Sequence, residues 1–235
     1  MLGNWFYFYG GDSIMLFALL AVLVLGLIVQ ARVQSTYKKF SKTRASSGIP
    51  ANEMARQLLQ NANSGVSITQ VKGYLTDHFN PKTHTVGLSD AVYHSDSIAA
   101  LAVAAHEIGH VMQYEDDYLP IRIRNAILPV AQIGSSASPF IVILGLMFGS
   151  YEVAIAGVIL FAAVLLFQLV TLPVEFNASS RAVSMLVGSG FITYDEESSA
   201  KKVLRAAAMT YVVAVLSSLV TLLRLLFIAR GSRRD

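Results

Sequence analysis

The chain has 235 residues, of which 54% are hydrophobic and 14% charged, with a formal net charge of +3 and no cysteine. That balance excludes an ordinary soluble globular protein. The missing cysteine excludes disulfides and thiolate ligands, so any bound metal must be held by nitrogen and oxygen.

The first predicted element is Ile14 to Val29, sixteen residues with no polar side chain. It is preceded by the aromatic cluster Trp5, Phe6, Tyr7, Phe8 and Tyr9 and followed by Arg32, Lys38, Lys39, Lys42 and Arg44. The positive charge follows the apolar run and no small-residue cleavage site is evident, so the segment reads as a retained membrane anchor rather than a signal peptide. A basic linker is expected at about residues 32 to 48. Further on, His78 and His84 flank the turn signal Asn80-Pro81, and Thr85 to Ser89 reads as a short strand. Such a strand either pairs with extended substrate, with Gly87 permitting close backbone approach, or belongs to an ordinary surface hairpin.

Ser95 or Asp96 is placed to cap a helix whose next residues, Ser97 to Ala105, are small or apolar and suit close packing on several sides. His94, just before it, either stabilises the capping turn or approaches substrate. The helix then carries His106-Glu107-Ile108-Gly109-His110. Successive helical positions are about 100° apart, so the two histidines share a face and both imidazoles can reach one ion. Glu107 stands beside them, placed to take a proton from water as the general base of a zinc peptidase does. Two histidines and a carboxylate are costly to bury without partners, and a metal removes that cost.

Ile127 to Gly149 and Val153 to Leu172 are two further predicted spans, with a tight turn around Ser150-Tyr151-Glu152, and Ala206 to Ala229 is a fourth. Pro139, next to Ser135, Ser136 and Ser138, suggests a bent, closely packed second span. If the amino terminus is outside, segments 31–126 and 173–205 face the cytoplasm with 14 of the 18 Lys and Arg residues. Arg224, Arg230, Arg233 and Arg234 oppose that orientation. Residues beside the first span weigh most, so the site is expected on the cytoplasmic face of a multi-pass cell-membrane protein. Arg224 lies near the end of its span, where snorkelling accounts for it.

A catalytic zinc commonly takes three protein ligands. Glu175 is the candidate third: it follows Pro173, which marks the exit from the third span, and two spans separate it from His110, so both return to one face. Alternatively it caps the following helix electrostatically.

These residues resemble the YugP-like membrane zinc metallopeptidases, also called neutral zinc metallopeptidases. The resemblance runs through Gly48 to Ala55, Asp77-His78-Phe79-Asn80-Pro81, Leu88-Ser89, Ser97 to Gln113, Leu172 to Ser179 and Ala200 to Tyr211. After the third span the family pattern looks like Glu-Phe-Asp-Ala-Ser-Arg-Arg-Ala, from which Asn177 and Ser180 depart without touching a proposed ligand. A more distant similarity is to HtpX-like and CAAX-processing membrane proteases. In their frame Ser179 stands where an aspartate supports the first zinc histidine, and its hydroxyl would give a weaker hydrogen bond.

The resemblance implies a mainly α integral membrane fold of about four transmembrane helices, with a zincin-like metallopeptidase part containing a small β element. The expected segments are an anchor (1–31), a cytoplasmic catalytic part (32–126), a transmembrane hairpin (127–172), a cytoplasmic helical part with the third ligand (173–205) and a last span with a basic tail (206–235). It implies a zinc metalloendopeptidase in which His106, His110 and Glu175 hold Zn2+ and Glu107 is the general base. Arg181, His94, Tyr194 and Tyr211 are candidate oxyanion donors among which the sequence does not choose. Expected partners are peptide or protein substrates, membrane proteins among them, and the lipid bilayer. Nucleic acid is not expected, and oligomeric state is left open. The competing reading is a membrane scaffold or chaperone-like protein with a structural zinc, for which His78 or His94 would complete a closed four-ligand site. A transporter fits less well, because the spans offer few ionisable groups.

Overall fold

In chain order the computed structural model contains α1 (Leu2–Phe40), α2 (Ala51–Asn61), β1 (Ser67–Val71), β2 (His78–Asn80), β3 (Thr85–Ser89), α3 (Asp90–Tyr93), α4 (Ile98–Glu115), α5 (Leu119–Met147), α6 (Tyr151–Gly188) and α7 (Tyr194–Gly231). It describes the backbone of residues 2–231 and the side chains of residues 13–230. The aromatic side chains from Trp5 to Tyr9, and Arg233 and Arg234 of the basic tail, lie outside the described residues. Among those described, α1, α5, α6 and α7 are long and apolar enough to cross a membrane. The fold is therefore mainly helical, with four long apolar helices and one three-stranded sheet, as expected.

The chain divides into two compact units. The first comprises Met1–Ile28, Arg122–Leu172 and Thr210–Asp235. Here α5 and α6 form a hairpin whose turn passes through Gly149 at φ +63°, a left-handed conformation that glycine adopts without a Cβ penalty. The two helices touch through small residues: a Cβ on Gly134 would sit 2.7 Å from the Leu160 carbonyl oxygen, and one on Gly157 would sit 2.9 Å from that of Ser138. Such close backbone approach is how helices associate where lipid removes the hydrophobic drive between them. Val142, Ala154, Val158 and Phe161 form the interior, while Phe140, Ile143, Ile159 and Leu166 point outward.

The second unit comprises Val29–Ile121 and Pro173–Met209. Its core gathers around α4, where Ala99, Ala100, Leu101, Ala102, Ala104, Ala105, Ile108 and Val111 are all fully buried. Alanine on several faces lets neighbours approach from all sides, so α4 is a central rather than an amphipathic helix. By contrast, α2 buries Ala51, Met54, Ala55, Leu58 and Leu59, one stripe at helical spacing. The sheet order is β1-β3-β2, with β1 parallel and β2 antiparallel to β3.

Several local expectations are corrected. The helix cap is Ser97, whose hydroxyl accepts from the Ala100 amide at 3.2 Å. Ser95 donates to the Ser97 hydroxyl, and Asp96 instead pairs with Arg44 at 2.6 Å. The stretch expected as a basic linker is helical to Phe40 and then docks on the start of α4, with the Ala45 amide donating to the Asp96 carbonyl and the Ile98 amide to the Thr43 carbonyl. Thr85 to Ser89 is a strand, but β3 is central, and β1 and β2 occupy its two edges. The space over Gly87 belongs to His78 and Val71, whose side-chain atoms lie 2.8 and 2.9 Å from where its Cβ would stand. Pro173, expected as the exit from the third span, lies within α6, which continues to Gly188, held by the fully buried Val174, Ala178 and Ala182. A proline removes one helical hydrogen bond, and packing on its far side keeps the helix running. The 38 residues of α6 extend about 57 Å, well beyond the roughly 20 residues that cross a hydrocarbon core.

Candidate metal centre

His106 and His110 stand one turn apart on α4, their rings 4.7 Å between centroids and inclined at 83°. Glu175 arrives from α6, in the same unit, with its carboxylate 4% exposed. Its Oε2 lies 3.3 Å from His106 Nε2 and 3.6 Å from His110 Nε2. Ligand atoms of the three residues all fall within 4.8 Å of one another. Zinc ligands at about 2.0–2.2 Å in tetrahedral array are roughly 3.4 Å apart, so the two nitrogen–oxygen separations match the edges of a zinc tetrahedron. Glu175 lies inside a helix, which removes the capping alternative.

The approach of α6 to α4 depends on Gly109, between the two histidines. A Cβ there would stand 2.6 Å from the Ala178 carbonyl oxygen. With only hydrogen in that place, Glu175, one turn before Ala178, comes within reach of the imidazoles.

The far nitrogens of both rings are also engaged. His106 Nδ1 lies 3.2 Å from Ser179 Oγ, a contact in which either atom can donate. His110 Nδ1 lies 2.9 Å from Gln113 Oε1. The Gln113 amide nitrogen donates to the Val174 carbonyl at 2.7 Å and to Asn177 Oδ1 at 3.0 Å. Arg181 Nε donates to the same Asn177 oxygen at 2.9 Å, and its guanidinium pairs with Asp116 and lies over the Tyr118 ring. Both Nε2 atoms are thereby directed at Glu175, and the donor set of two imidazoles and a carboxylate fits zinc.

Glu107 is 9% exposed on α4. Burial opposes protonation of His110, yet hydrogen bonding to Glu175 and the charges of Glu107 and Glu175 outweigh it and raise the imidazole above its ordinary value.

The remaining candidates are dispersed. His94 is exposed, ends α3 and packs edge-on against Tyr93 at 4.8 Å. Tyr194 opens α7 and is 81% exposed, and Tyr211 belongs to the first unit. His78 is exposed, with Nδ1 2.9 Å from the Thr76 carbonyl oxygen, and His84 takes a left-handed turn conformation at φ +52° before β3. Neither His78 nor His94 is in the ligand cluster. Ser179 and, through Asn177 and Gln113, Arg181 are the candidates joined to the histidines. Sequence reasoning missed Gln113 and Asn177; the available signal was a glutamine one turn beyond His110 in a helix otherwise rich in small and apolar residues.

A family model described as "Putative neutral zinc metallopeptidase" matches residues 14–230. The chain is 45% identical over 224 residues to the "Putative membrane protease YugP" of Bacillus subtilis (strain 168), an alignment covering 94% of this chain and 100% of that protein. No solved structure matches. With a family match running from the first apolar helix to the last, and a His-His-Glu cluster at its centre, the chain belongs to the neutral zinc metallopeptidase family.

Proposed function

We propose that the protein is a membrane zinc metalloendopeptidase whose ligands are His106, His110 and Glu175 and whose general base is Glu107. The observation that carries this reading is the convergence of two imidazoles and one carboxylate at zinc-like separations, with Glu107 buried on the same helix. Three protein ligands leave a fourth position for solvent or substrate, which a catalytic zinc needs and a closed structural site lacks. When bound, zinc supplies Lewis-acid polarisation of a carbonyl and makes water acidic enough to ionise near neutral pH.

The protein's own groups do the rest. Glu107 accepts a proton from the attacking water and delivers it to the leaving amine, so the peptide bond breaks into a carboxylate and an amine. His106 and His110 keep their Nε2 lone pairs toward the cation while Ser179 and Gln113 occupy their far nitrogens. Substrates are peptides or proteins, membrane proteins among them. The basic residues of segments 32–126 and 173–205 support a cytoplasmic position for these parts and the site they carry.

The test compares purified wild-type and Glu107→Gln protein in detergent for zinc content and cleavage of a peptide library. The substituted protein should retain zinc and lose hydrolysis. Normal cleavage by Glu107→Gln would refute the mechanism, and zinc without hydrolysis in the wild type would favour a scaffold.

A further inference from the structure

We infer that Gln113 is a positioning residue, which locks His110 in the one tautomer able to present Nε2 to the metal. The inference rests on the zinc reading above and adds the part of the chain that holds that ligand ready.

The argument is one of hydrogen-bond polarity. Gln113 is completely buried, so an unsatisfied amide there would be costly. Its carboxamide has a donor end and an acceptor end, and two orientations exchange them. The Val174 carbonyl, 2.7 Å away, can only accept, so the end facing it must be the NH2 group. The second anchor agrees. Arg181 has donors only, so the Asn177 atom it meets at 2.9 Å must be the oxygen, which also accepts from the Gln113 NH2 at 3.0 Å. Reversing the Gln113 amide would set an oxygen against two other acceptors. With the NH2 thus assigned, the end facing His110 is the oxygen, and His110 Nδ1 must carry the hydrogen. A neutral His110 then has its lone pair on Nε2, toward Glu175.

The chain of orientation runs from the Asp116 carboxylate through Arg181, Asn177 and Gln113 to His110. His106 has no comparable lock, because the Ser179 hydroxyl can donate or accept. The two histidines therefore differ: His110 is preset, and His106 adjusts when the cation arrives. Asn177 serves as a double acceptor, a role that an aspartate at this position would also fill.

The test measures zinc affinity of the full chain in detergent by competition with a chromophoric chelator. It adds the visible absorption of the Co(II)-substituted protein and the melting temperature of the metal-free form. Gln113→Leu should bind zinc roughly 10- to 100-fold more weakly, the usual effect of removing a group that orients a metal ligand, with an altered Co(II) spectrum. Asn177→Leu should weaken zinc in the same direction, and Asn177→Asp should stay close to wild type in affinity and spectrum. If Gln113→Leu does not fold, the two Asn177 substitutions decide. Wild-type affinity and an unchanged spectrum in the leucine variants would overturn the inference, as would a lower metal-free melting temperature with no change in zinc binding. Wild-type protein that bound no zinc would overturn the zinc reading itself, whereas zinc-binding wild type with indifferent variants would overturn this inference alone.

Discussion

Replacing Gly109 by alanine adds one methyl group, and the geometry of α4 against α6 turns that methyl into a displacement of Glu175, the proposed third ligand. The new Cβ would stand 2.6 Å from the Ala178 carbonyl oxygen and 3.2 Å from its carbonyl carbon and Cα, all backbone atoms that no rotamer change can move. Restoring ordinary contact, which begins at 3.4 Å, requires a shift of about 0.8 Å between the helices. Metal sites tolerate roughly 0.2 Å of error in ligand distance, so the shift exceeds the tolerance about fourfold. It acts on Glu175, one turn before Ala178, whose carboxylate already lies 3.3 and 3.6 Å from the two imidazoles. Overpacking alone costs about 1–3 kcal/mol of stability. The larger effect should be on metal affinity, which is expected to fall at least the roughly 10- to 100-fold seen when ligand orientation is disturbed. Zinc competition titration of Gly109→Ala in detergent measures this, with Gly65→Ala as the control, because a Cβ on Gly65 meets nothing within 4 Å. Gly109→Ala protein with wild-type zinc affinity would show that helix spacing does not set the position of Glu175.

Two further outcomes follow from local structure. Ser97→Ala removes the hydroxyl that accepts from the Ala100 amide and should lower thermal stability by about 1 kcal/mol, while Ser97→Asp, which keeps an acceptor, should lose less; equal losses would remove the cap from the account. In the metal-free protein His110 titrates above its ordinary value of about 6.5, so its contribution is fully present below that pH and is lost as pH rises through the raised value. Melting in the presence of a chelator should therefore occur at lower temperature at pH 8.5 than at pH 6, and a metal-free melting temperature that rose across that interval would contradict the electrostatic account of the site.

What the sequence disclosed here was what repeats locally. The spacing of His106 and His110 is one helical turn, and the run from Ile14 to Val29 is apolar throughout, so both are visible in a short window. Glu175 was visible through the pattern around it, just past Pro173, and the helix that carries both runs on without a break. Choices among adjacent residues were not visible: Ser95, Asp96 and Ser97 are all capping types, and Asp96 is withdrawn from that role by Arg44, fifty-two residues earlier. The strand Thr85–Ser89 was legible from its composition, but its central place depends on β1, the short and mostly polar Ser67–Val71, whose pairing no local period announces. Gln113 and Asn177 were missed for the same reason. Their bond joins positions 64 apart, and neither residue type signals a metal site by itself.

The same distant contacts explain how two helices from separate parts of the chain bring one site together. Helix α4 meets α6 at two points that bracket Glu175. On one side the Gln113 amide reaches the carbonyl of Val174, the residue before it, using a lone pair that helical bonding leaves available. On the other, Gly109 rests against the carbonyl of Ala178, three residues after it. The first contact pulls α6 inward and the second stops it, so the depth of Glu175 is bounded from both directions before any metal binds. On the proposed zinc reading a cation would meet ligands already placed, and its binding energy would not be consumed in drawing the helices together. Loosening either contact should therefore weaken zinc even though neither residue touches it. Because both contacts bear on one rigid helix, their loss should be non-additive, with the Gly109→Ala and Gln113→Leu double variant falling short of the sum of its parts.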